Sequence, residues 1–442
     1  MKKIKFIDLF SGLGGFRIGF ENACRKLNIA SECILSSEIK THAIETYCKN
    51  FKDHNLIGDI TKLETSKIPN FDILLAGFPC QSFSSAGSRR GFLDTKGTLF
   101  FEIERILKAK KPKGFILENV EGLVKHDLKD KNNKIGQTLE TILKILTKIG
   151  YKVNWKLLNS KNFNLPQDRN RIFIVGIKKN KISLENFKIK KKHLKDILEK
   201  KIHQEQTEFF KLLLRKFSPK DLYGKSIKDK RGGKNNIHSW DLEIKGKISK
   251  VQKQLLNELL KQRRRKEWSV KNKVEWMDGM PLTIDQIYSF FGKPTLFDKG
   301  IEKKELKNLL DDLVKKGYVN FEHPKKIIKI KNEFGIVPKR VENFKSKKGY
   351  NIVVGKLSFE ISKILDPNGV TPTLLATDMD RLAVIDNNNL RNLTINECKK
   401  LFGFPRNYKV NLNQRKAYNL FGESIAIPVV EKVAERVLQS LK

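Results

Sequence analysis

The sequence predicts an α/β fold, a doubly wound and mostly parallel sheet, with a second domain inserted into it. Three observations carry this prediction. Strand and helix patterns alternate over about the first 180 residues, a glycine-rich turn follows the first strand, and polar residues follow several later strands. A long basic stretch then interrupts the pattern, which returns near the carboxyl end. We therefore predict a first domain over 1–180, a basic insertion over 181–365 and a return segment over 366–442.

The first strand runs over Ile4–Phe10 and ends in the glycine-rich turn FSGLGGF at 10–16, which a helix follows. Glycine permits a tight turn and lets a ligand approach the backbone closely. The next two strands end at Glu38 and Asp59, carboxylates that suit ribose hydroxyls and an adenine amino group respectively. A nicotinamide dinucleotide would also fit a glycine-rich turn, although this one lacks the GxGxxG spacing.

The next strand leads to a cysteine. Ile73–Ala76 is a short apolar run of the kind found in buried strands, and Cys80 begins the loop of small polar residues after it. Doubly wound sheets place their chemistry at this end of a strand. A thiol there can have its pKa tuned by neighbours, although a lone cysteine in an arbitrary loop is more often a buried structural residue.

Two further groups of polar residues belong to the same domain. Lys113–Leu117 reads as a strand that brings Glu118 to the edge of the sheet where Cys80 lies. The segment before the apolar strand Arg171–Ile177 carries Arg169, which shares one face with Arg171 if the chain is extended. Taken alone, an exposed acid and a solvated arginine pair would be the ordinary interpretation.

Composition narrows the class of protein. The 442 residues carry 89 Lys and Arg against 49 Asp and Glu, a formal charge of +40, which predicts a polyanionic partner such as nucleic acid. Five scattered cysteines without a CxxC pair predict neither a disulfide framework nor a metal site. No apolar run reaches about 18 residues and no signal-peptide pattern is present, so we expect a cytoplasmic protein without a membrane span.

The basic insertion combines charge with aromatic residues. We predict a helix over 247–266 that ends in Arg263–Lys266, a run expected to contact phosphates. The part over about 277–335 resembles a winged helix, with strands predicted at Tyr318–Phe321 and Lys326–Ile330. Lysine and arginine interleaved with tryptophan suit contacts to phosphates and bases.

With these pieces in order, the chain resembles the DNA (cytosine-5)-methyltransferases. The resemblance covers about 1–180 and 366–442, in family order, and leaves the insertion where that family keeps its target-recognition region. The matching motifs are DLFSGLGGF (8–16), Glu38, GDI (58–60), GFPCQSFS (77–84), ENV (118–120), QxRxR (167–171), RNLTINECKKLFGFP (391–405) and YNLFGESIAIP (418–428). It implies the S-adenosylmethionine-dependent methyltransferase fold, with a catalytic and cofactor-binding domain over 1–180.

The resemblance also implies a mechanism. Cys80 would add as a thiolate to carbon 6 of a cytosine flipped out of the duplex, and Glu118 would act at ring nitrogen 3. Arg171 would hold the exocyclic oxygen, and Arg169 would support the pocket. Carbon 5 would then receive the methyl group of S-adenosylmethionine.

The resemblance assigns the cofactor site residue by residue. Glu38 would bind the ribose, and Asp59 with Ile60 would bind the adenine. The remaining predicted contacts are Phe10, Gly12, Leu13, Gly15, Pro79, Leu99, Ser424 and Ile425. One residue departs from the family: Glu423 stands where Asn is usual, which adds a negative charge near the cofactor.

Double-stranded DNA is the predicted partner of an enzyme expected to be a monomer. Whether a restriction endonuclease acts on the same site stays open. Three alternatives remain: an RNA cytosine-5 methyltransferase, a DNA-binding relative without activity, and a nicotinamide oxidoreductase. The long basic insertion favours duplex DNA, and the presence of Cys80, Glu118, Arg169 and Arg171 argues against an inactive relative.

Overall fold

A computed structural model describes residues 3–52, 55–79, 99–128, 130, 132–293, 300–332, 335–354 and 359–441. The chain divides into two compact units. The first unit comprises the residues up to Ile202, Leu365–Asp380 and the residues from Asn392 on, and the second comprises His203–Ile364 and Arg381–Arg391. The boundaries drawn from the sequence, at 180/181 and 365/366, stay a prediction.

The described strands and helices are as follows. The strands are β1 Ile4–Leu9, β2 Ser31–Ser37, β3 Leu56–Ile57, β4 Ile73–Gly77, β5 Gly114–Val120, β6 Lys152–Asn159, β7 Asn170–Ile177, β8 Ser226–Ile227, β9 Asn236–Ile237, β10 Val319–Glu322, β11 Lys325–Asn332, β12 Gly335–Glu342, β13 Gly349–Ile352, β14 Lys363–Ile364, β15 Leu382–Asp386 and β16 Asn389–Asn392. The helices are α1 Gly15–Lys26, α2 Thr41–Asn50, α3 Leu99–Lys110, α4 Gln137–Lys148, α5 Glu208–Lys216, α6 Pro219–Leu222, α7 Lys250–Gln262, α8 Glu267–Lys271, α9 Ile284–Ile287, α10 Lys303–Lys315, α11 Ile395–Phe402, α12 Gln414–Glu423 and α13 Ile427–Ser440.

The first unit contains a sheet in the order β3-β2-β1-β4-β5-β7-β6 among the described strands. Strands β3, β2, β1, β4 and β5 pair in parallel, whereas β7 runs antiparallel to both β5 and β6. The predicted fold class, a doubly wound and mostly parallel sheet, is therefore confirmed. The carboxyl ends of the parallel strands meet at one edge, where Phe10, Glu38 and Pro79 follow β1, β2 and β4.

Helices cover both faces of this sheet because its strands alternate their apolar side chains. Phe6 belongs to a core that includes α1 and α13, whereas its neighbour Ile7 belongs to a core that includes α3 and α4. Helix α13 packs closely on α1 at Gly19, where a Cβ atom would lie 2.7 Å from Val430. The carboxyl-terminal helix therefore completes one face of a sheet that the first 177 residues build.

The second unit has two parts, each with its own apolar core. One part is a sheet in the order β16-β15-β14-β8-β9. The other holds α7, α9 and α10, the pair β10–β13 and the hairpin β11–β12. The strands predicted at 318–321 and 326–330 are present, but β10 pairs with β13 and β11 pairs with β12.

One expectation for the insertion is wrong for part of the run that it names. The run Arg263–Lys266 does not present four cations for phosphate contact, because the Arg263 side chain is only 1% exposed. Its Nη1 donates to Asn351 Oδ1 at 2.7 Å and to the Ile352 carbonyl at 3.3 Å, and burial lowers its pKa to about 10. Arg264 forms an ion pair with Asp278 at 2.6 Å. Arg263 and Arg264 are therefore engaged within this unit, whereas Arg265 and Lys266 are exposed.

In the described part of the chain, no helix is long and apolar enough to cross a membrane. The same residues hold no group of three or more His, Cys, Asp or Glu side chains placed to bind a metal ion.

Candidate active site

The glycine-rich turn leaves β1 with backbone angles that suit glycine. Gly12 and Gly14 have φ values of 51° and 70°, in the left-handed region, and Phe10 also has a positive φ of 57°. The Gly12 N–H donates to Glu38 Oε2 at 2.8 Å. A Cβ atom built on Gly12 would meet nothing within 4 Å, so the backbone here borders open space.

The two predicted cofactor carboxylates are held in fixed positions. Besides the Gly12 bond, Glu38 Oε1 accepts hydrogen bonds from the N–H groups of Ile39 at 2.9 Å and Lys40 at 2.8 Å. Asp59 Oδ1 accepts from the N–H and the hydroxyl of Thr61, and these bonds hold the pKa of Asp59 below its ordinary value. Each carboxylate is thus oriented by its own loop before any ligand arrives.

The carboxyl-terminal segment reaches the same turn. Gly15 begins α1 directly against Ser424 and Ile425, since a Cβ atom there would lie 2.9 Å from Ile425 Cγ2 and 3.5 Å from Ser424 Oγ. The Tyr408 hydroxyl donates to the Leu13 carbonyl at 2.6 Å. The structure therefore brings Leu13, Gly15, Ser424 and Ile425 together, although about 400 positions separate them in the chain.

Glu423, the residue that departs from the family pattern, forms an ion pair with Lys40. Lys40 lies two residues after Glu38, and Glu423 lies next to Ser424. The additional negative charge predicted from the sequence is therefore balanced by a lysine at the same place.

The other predicted cofactor residues follow strands of the same sheet or begin helix α3. Ile60 is buried and begins a 3₁₀ turn on which α3 packs, and its carbonyl accepts a hydrogen bond from Arg105 at 3.1 Å. Leu99 begins α3, and Pro79 follows β4. Both side chains are half-buried.

Glu118 and Arg171 form an ion pair at the ends of adjacent strands. Arg171 Nε lies 3.1 Å from Glu118 Oε1, and only 13% and 12% of the two side chains are exposed. The antiparallel register of β5 and β7 causes this approach, because it sets Arg171 opposite Val120 and Phe173 opposite Glu118. Burial raises the pKa of Glu118, and the charges of Arg171 and Arg169 oppose that rise. The carboxyl group therefore keeps a proton to a higher pH than an exposed glutamate would.

Arg169 has a different role from Arg171 in this structure. Its buried guanidinium donates to the carbonyls of Leu374 at 3.1 Å, Gly422 at 3.2 Å and Ser424 at 2.7 Å. These bonds tie the start of β7 to the segment that carries Ser424 and Ile425. Arg169 acts on the site by fixing that segment.

The predicted nucleophile, Cys80, lies outside the described residues. The other four cysteines are described as free thiols. Burial raises the pKa of Cys24 and of Cys33 to about 11 and that of Cys398 well above its ordinary value. A thiol with a raised pKa carries little thiolate at neutral pH and is a poor nucleophile.

Three residues without an assigned role in the sequence prediction also shape the site. The fully buried Gln167 donates to the Leu401 carbonyl at 3.0 Å, and Asn119 Nδ2 donates to the Phe78 carbonyl at 3.2 Å, just before Pro79. Gln167 and Asn119 lie inside motifs that the sequence identified. Tyr408 lies outside them, and its bond to Leu13 has no local signal because it joins positions 395 residues apart.

Comparison with known proteins places this geometry in a family. Residues 4–439 match the C-5 cytosine-specific DNA methylases. The chain is 54% identical to Type II methyltransferase M.NlaIV of Neisseria lactamica over 441 residues, which is 100% of each chain. It is 39% identical to Type II methyltransferase M.BanI of Aneurinibacillus aneurinilyticus over 464 residues, 99% of this chain and 96% of that one. Among solved structures, Entamoeba histolytica methyltransferase EhMeth has a TM-score of 0.53 at 18% identity, with 100% of both chains covered, which shows a shared fold.

Proposed function

The chain belongs to the C-5 cytosine-specific DNA methylase family and is a DNA (cytosine-5)-methyltransferase of the restriction-modification type; from that membership we propose that it methylates a cytosine flipped out of a specific duplex sequence, with S-adenosylmethionine as the donor. The observation that carries the proposal is the buried pair of Glu118 and Arg171, one strand away from the strand that leads to Cys80. A base inside a duplex is inaccessible to such a recessed pair, so the target must leave the helix.

The described cofactor residues fit S-adenosylmethionine. The backbone borders open space at Gly12 and also at Gly58, where a Cβ atom would likewise meet nothing within 4 Å. Two oriented carboxylates, Glu38 and Asp59, adjoin these glycines and suit ribose hydroxyls and an adenine amino group. Bound there, S-adenosylmethionine would supply the methyl group.

The side chains of this protein would prepare the cytosine. The Cys80 thiolate attacks carbon 6, which forms an S–C bond and moves an electron pair of the ring toward carbon 5 and nitrogen 3. Glu118 in its protonated form donates a hydrogen bond to nitrogen 3 and stabilises that charge, and its raised pKa favours the protonated form. Arg171 keeps the Glu118 carboxyl oriented and can donate to the exocyclic oxygen. After methylation, loss of the proton on carbon 5 and of the thiolate restores the aromatic ring.

The family's restriction-modification members support a partner endonuclease that acts on the same site. We also propose that the insertion 181–365 recognises the DNA sequence, and that the enzyme works as a monomer in the cytoplasm.

One experiment tests the mechanism. The full chain is incubated with methyl-labelled S-adenosylmethionine and with either DNA or RNA, and the product is mapped by bisulfite sequencing. We expect label in DNA only, loss of label with Cys80→Ser, and normal activity with the control Cys48→Ser, since Cys48 is a half-buried thiol of α2. Near-normal turnover by Cys80→Ser would refute the covalent mechanism.

Glu118→Gln extends the same assay. We expect the methylation rate to fall by at least about 100-fold with little change in the Kd of the cofactor, because the carboxyl group acts on the base. Glu121→Gln is the matched control, an exposed glutamate three residues away. A collapse of cofactor binding in Glu118→Gln would assign this residue to the cofactor site.

A further inference from the structure

Residues 240–354 of the second unit contain a recognisable order of elements. Helix α7 is followed by Leu282, which bridges Tyr350 of β13, then by α9 with its π-helical extension to Gly292, and then by α10. Strand β10, the hairpin β11–β12 and strand β13 complete the series, with β13 paired to β10. Apart from the short helix α8, the order is three helices, the β10–β13 pair extended by the bridge at Leu282, and the hairpin β11–β12, which is the order of a winged helix.

The apolar core of this part fixes the orientation of α10. Leu306, Leu310 and Leu313 of α10 are fully buried in a cluster with Leu259 of α7 and Ile287 of α9. Their spacing of four and three residues marks one side of the helix as inward-facing. The opposite side of α10 is consequently presented to solvent on a rigid support.

The outward side of α10 carries side chains that can contact base edges. Lys304, Lys307 and Asn308 are exposed. Among the described residues, none forms a hydrogen bond with the Asn308 amide, which can pair in two places with adenine in the major groove. Lysine donates to the acceptors of guanine or to phosphates.

The hairpin β11–β12 adds a cationic face. Its register sets Ile327 opposite Arg340 and Lys325 opposite Glu342, so that Lys325, Lys329 and Arg340 share one side of the two-stranded sheet with one acid, Glu342. All three are exposed. An exposed strand pair with a net positive side complements the phosphate backbone of a duplex, as wings do beside a recognition helix.

We propose that residues 240–354 are a winged helix that binds the target duplex, with α10 in the major groove and the cationic face of the β11–β12 hairpin on the phosphates. This inference rests on the proposed function, because it assigns to particular elements the DNA binding that a DNA methylase requires. It places phosphate contact on a surface other than the run Arg263–Lys266, in which Arg263 is buried and Arg264 is paired with Asp278.

The test compares four variants of the full chain on duplex DNA: a hairpin variant, its control and two single substitutions in α10. The hairpin variant combines Lys325→Ala, Lys329→Ala and Arg340→Ala. The control combines Lys250→Ala, Lys253→Ala and Lys261→Ala, which removes the same charge from exposed positions of α7. We expect the slope of log affinity against log salt to become shallower by up to about 3 in the hairpin variant only, with an unchanged target sequence.

The helix variant is Asn308→Ala, with Lys304→Ala as a second exposed substitution on the same face. We expect discrimination at one base pair of the target to fall by about 5- to 140-fold, read as new methylated sites in bisulfite sequencing. Equal salt slopes in the hairpin and control variants, or an unchanged set of methylated sites in both helix variants, would overturn the proposal. Methylation of DNA by the wild-type chain in those cases would leave the proposed function standing, whereas a wild-type chain that methylates no DNA would refute the function itself.

Discussion

At the scale of single residues, Asp8 shows how the sheet carries a buried acid beneath its glycine-rich turn. It lies in β1, one residue before the strand ends, and its side chain is fully buried. Burial raises the pKa of Asp8 to about 8, although the nearby Arg17 charge opposes the rise, and Glu21 and Glu38 add to it. The carboxyl group is therefore protonated in the folded protein at a pH where it is ionised in the unfolded chain.

This difference predicts a pH dependence of stability. Asp8 stabilises the fold fully below its ordinary pKa of 3.8, and that contribution is lost as the pH rises to about 8. Asp8→Asn, which cannot ionise, should lose less stability over the same range, by up to about 1.4 kcal/mol for each pH unit. Denaturant unfolding of both proteins at pH 5, 6, 7 and 8 measures the difference. Asp168→Asn is the flat control, because hydrogen bonds from Lys161 and Asn159 lower the pKa of Asp168 below 3.8 and so keep its titration outside this pH range. Parallel curves for wild type and Asp8→Asn would contradict the prediction.

The Lys40–Glu423 ion pair leads to a second prediction at this scale. Glu423→Asn, which installs the residue usual in the family, should change the Kd of S-adenosylmethionine by less than about threefold, because Lys40 already balances the charge of Glu423. In a Lys40→Ala background the same substitution should have a larger effect. Isothermal titration calorimetry on the four proteins checks this, and a tenfold change in the wild-type background would show that Glu423 contacts the cofactor directly.

These residues also show how far sequence reasoning reaches. Glu38 and Asp59 were predictable because each follows a recognisable strand. The ion pair of Lys40 with Glu423 was not predictable, because the two residues are 383 positions apart and neither segment contains a local pattern that indicates the contact.

At the scale of elements, helix α7 shows why Arg263, the first residue of the basic run at its end, is buried although the sequence predicted it to contact phosphates. The apolar spacing Leu256, Leu259, Leu260 continues to position 263, which places Arg263 on the buried side of the helix. Four consecutive basic residues predicted a solvated surface, whereas the spacing of the apolar residues predicted a buried side chain at position 263. The structure agrees with the apolar spacing at this position. Gly279, with a φ of 111°, leaves room for the guanidinium, since a Cβ atom there would lie 2.8 Å from Arg263 Nη1.

Arg263→Ala should lower the free energy of unfolding by about 2–4 kcal/mol, because it leaves a cavity and removes the hydrogen bond to Asn351. Arg265→Ala, two residues on, should change it by less than about 0.5 kcal/mol, since Arg265 is 49% exposed and its ion pair with Glu267 measures 3.7 Å. Urea unfolding of the full chain compares them. Equal losses in the two variants would mean that Arg263 is not buried in solution.

At the scale of the whole molecule, the second unit is assembled from two stretches of chain. His203–Ile364 supplies most of it, and Arg381–Arg391 supplies β15 and most of β16, which extend the sheet of β14, β8 and β9. Residues 365–380 lie between these two stretches but belong to the first unit, and Thr371 forms a bridge with Gln167 there. The sequence analysis assigned everything after residue 366 to the return segment, so it did not separate Arg381–Arg391 from it. The insertion was predicted from the composition of the sequence. Composition does not show that the eleven residues Arg381–Arg391 belong to the second unit.

A graft of the insertion onto a related methylase should therefore depend on where the graft ends. We expect a chimera that carries 203–391 to methylate the target sequence of this protein, because both stretches of the second unit are present. A chimera that carries only 203–364 lacks β15 and should lose selective methylation. Bisulfite sequencing of DNA from cells that express each chimera measures the outcome, and retention of the recipient's own target by the longer chimera would place recognition outside this unit.

A ribosome makes the sheet of the first unit well before the helix that closes it. At about 5–20 residues per second, the 250 residues between Ile177 and Ile427 take roughly 12–50 seconds to synthesise. Until α13 emerges, α1 lacks the partner that packs against Gly19, and Gly15 lacks Ser424 and Ile425 beside it. A nascent chain therefore holds the strands of this sheet well before Ser424, Ile425 and α13 are added to them.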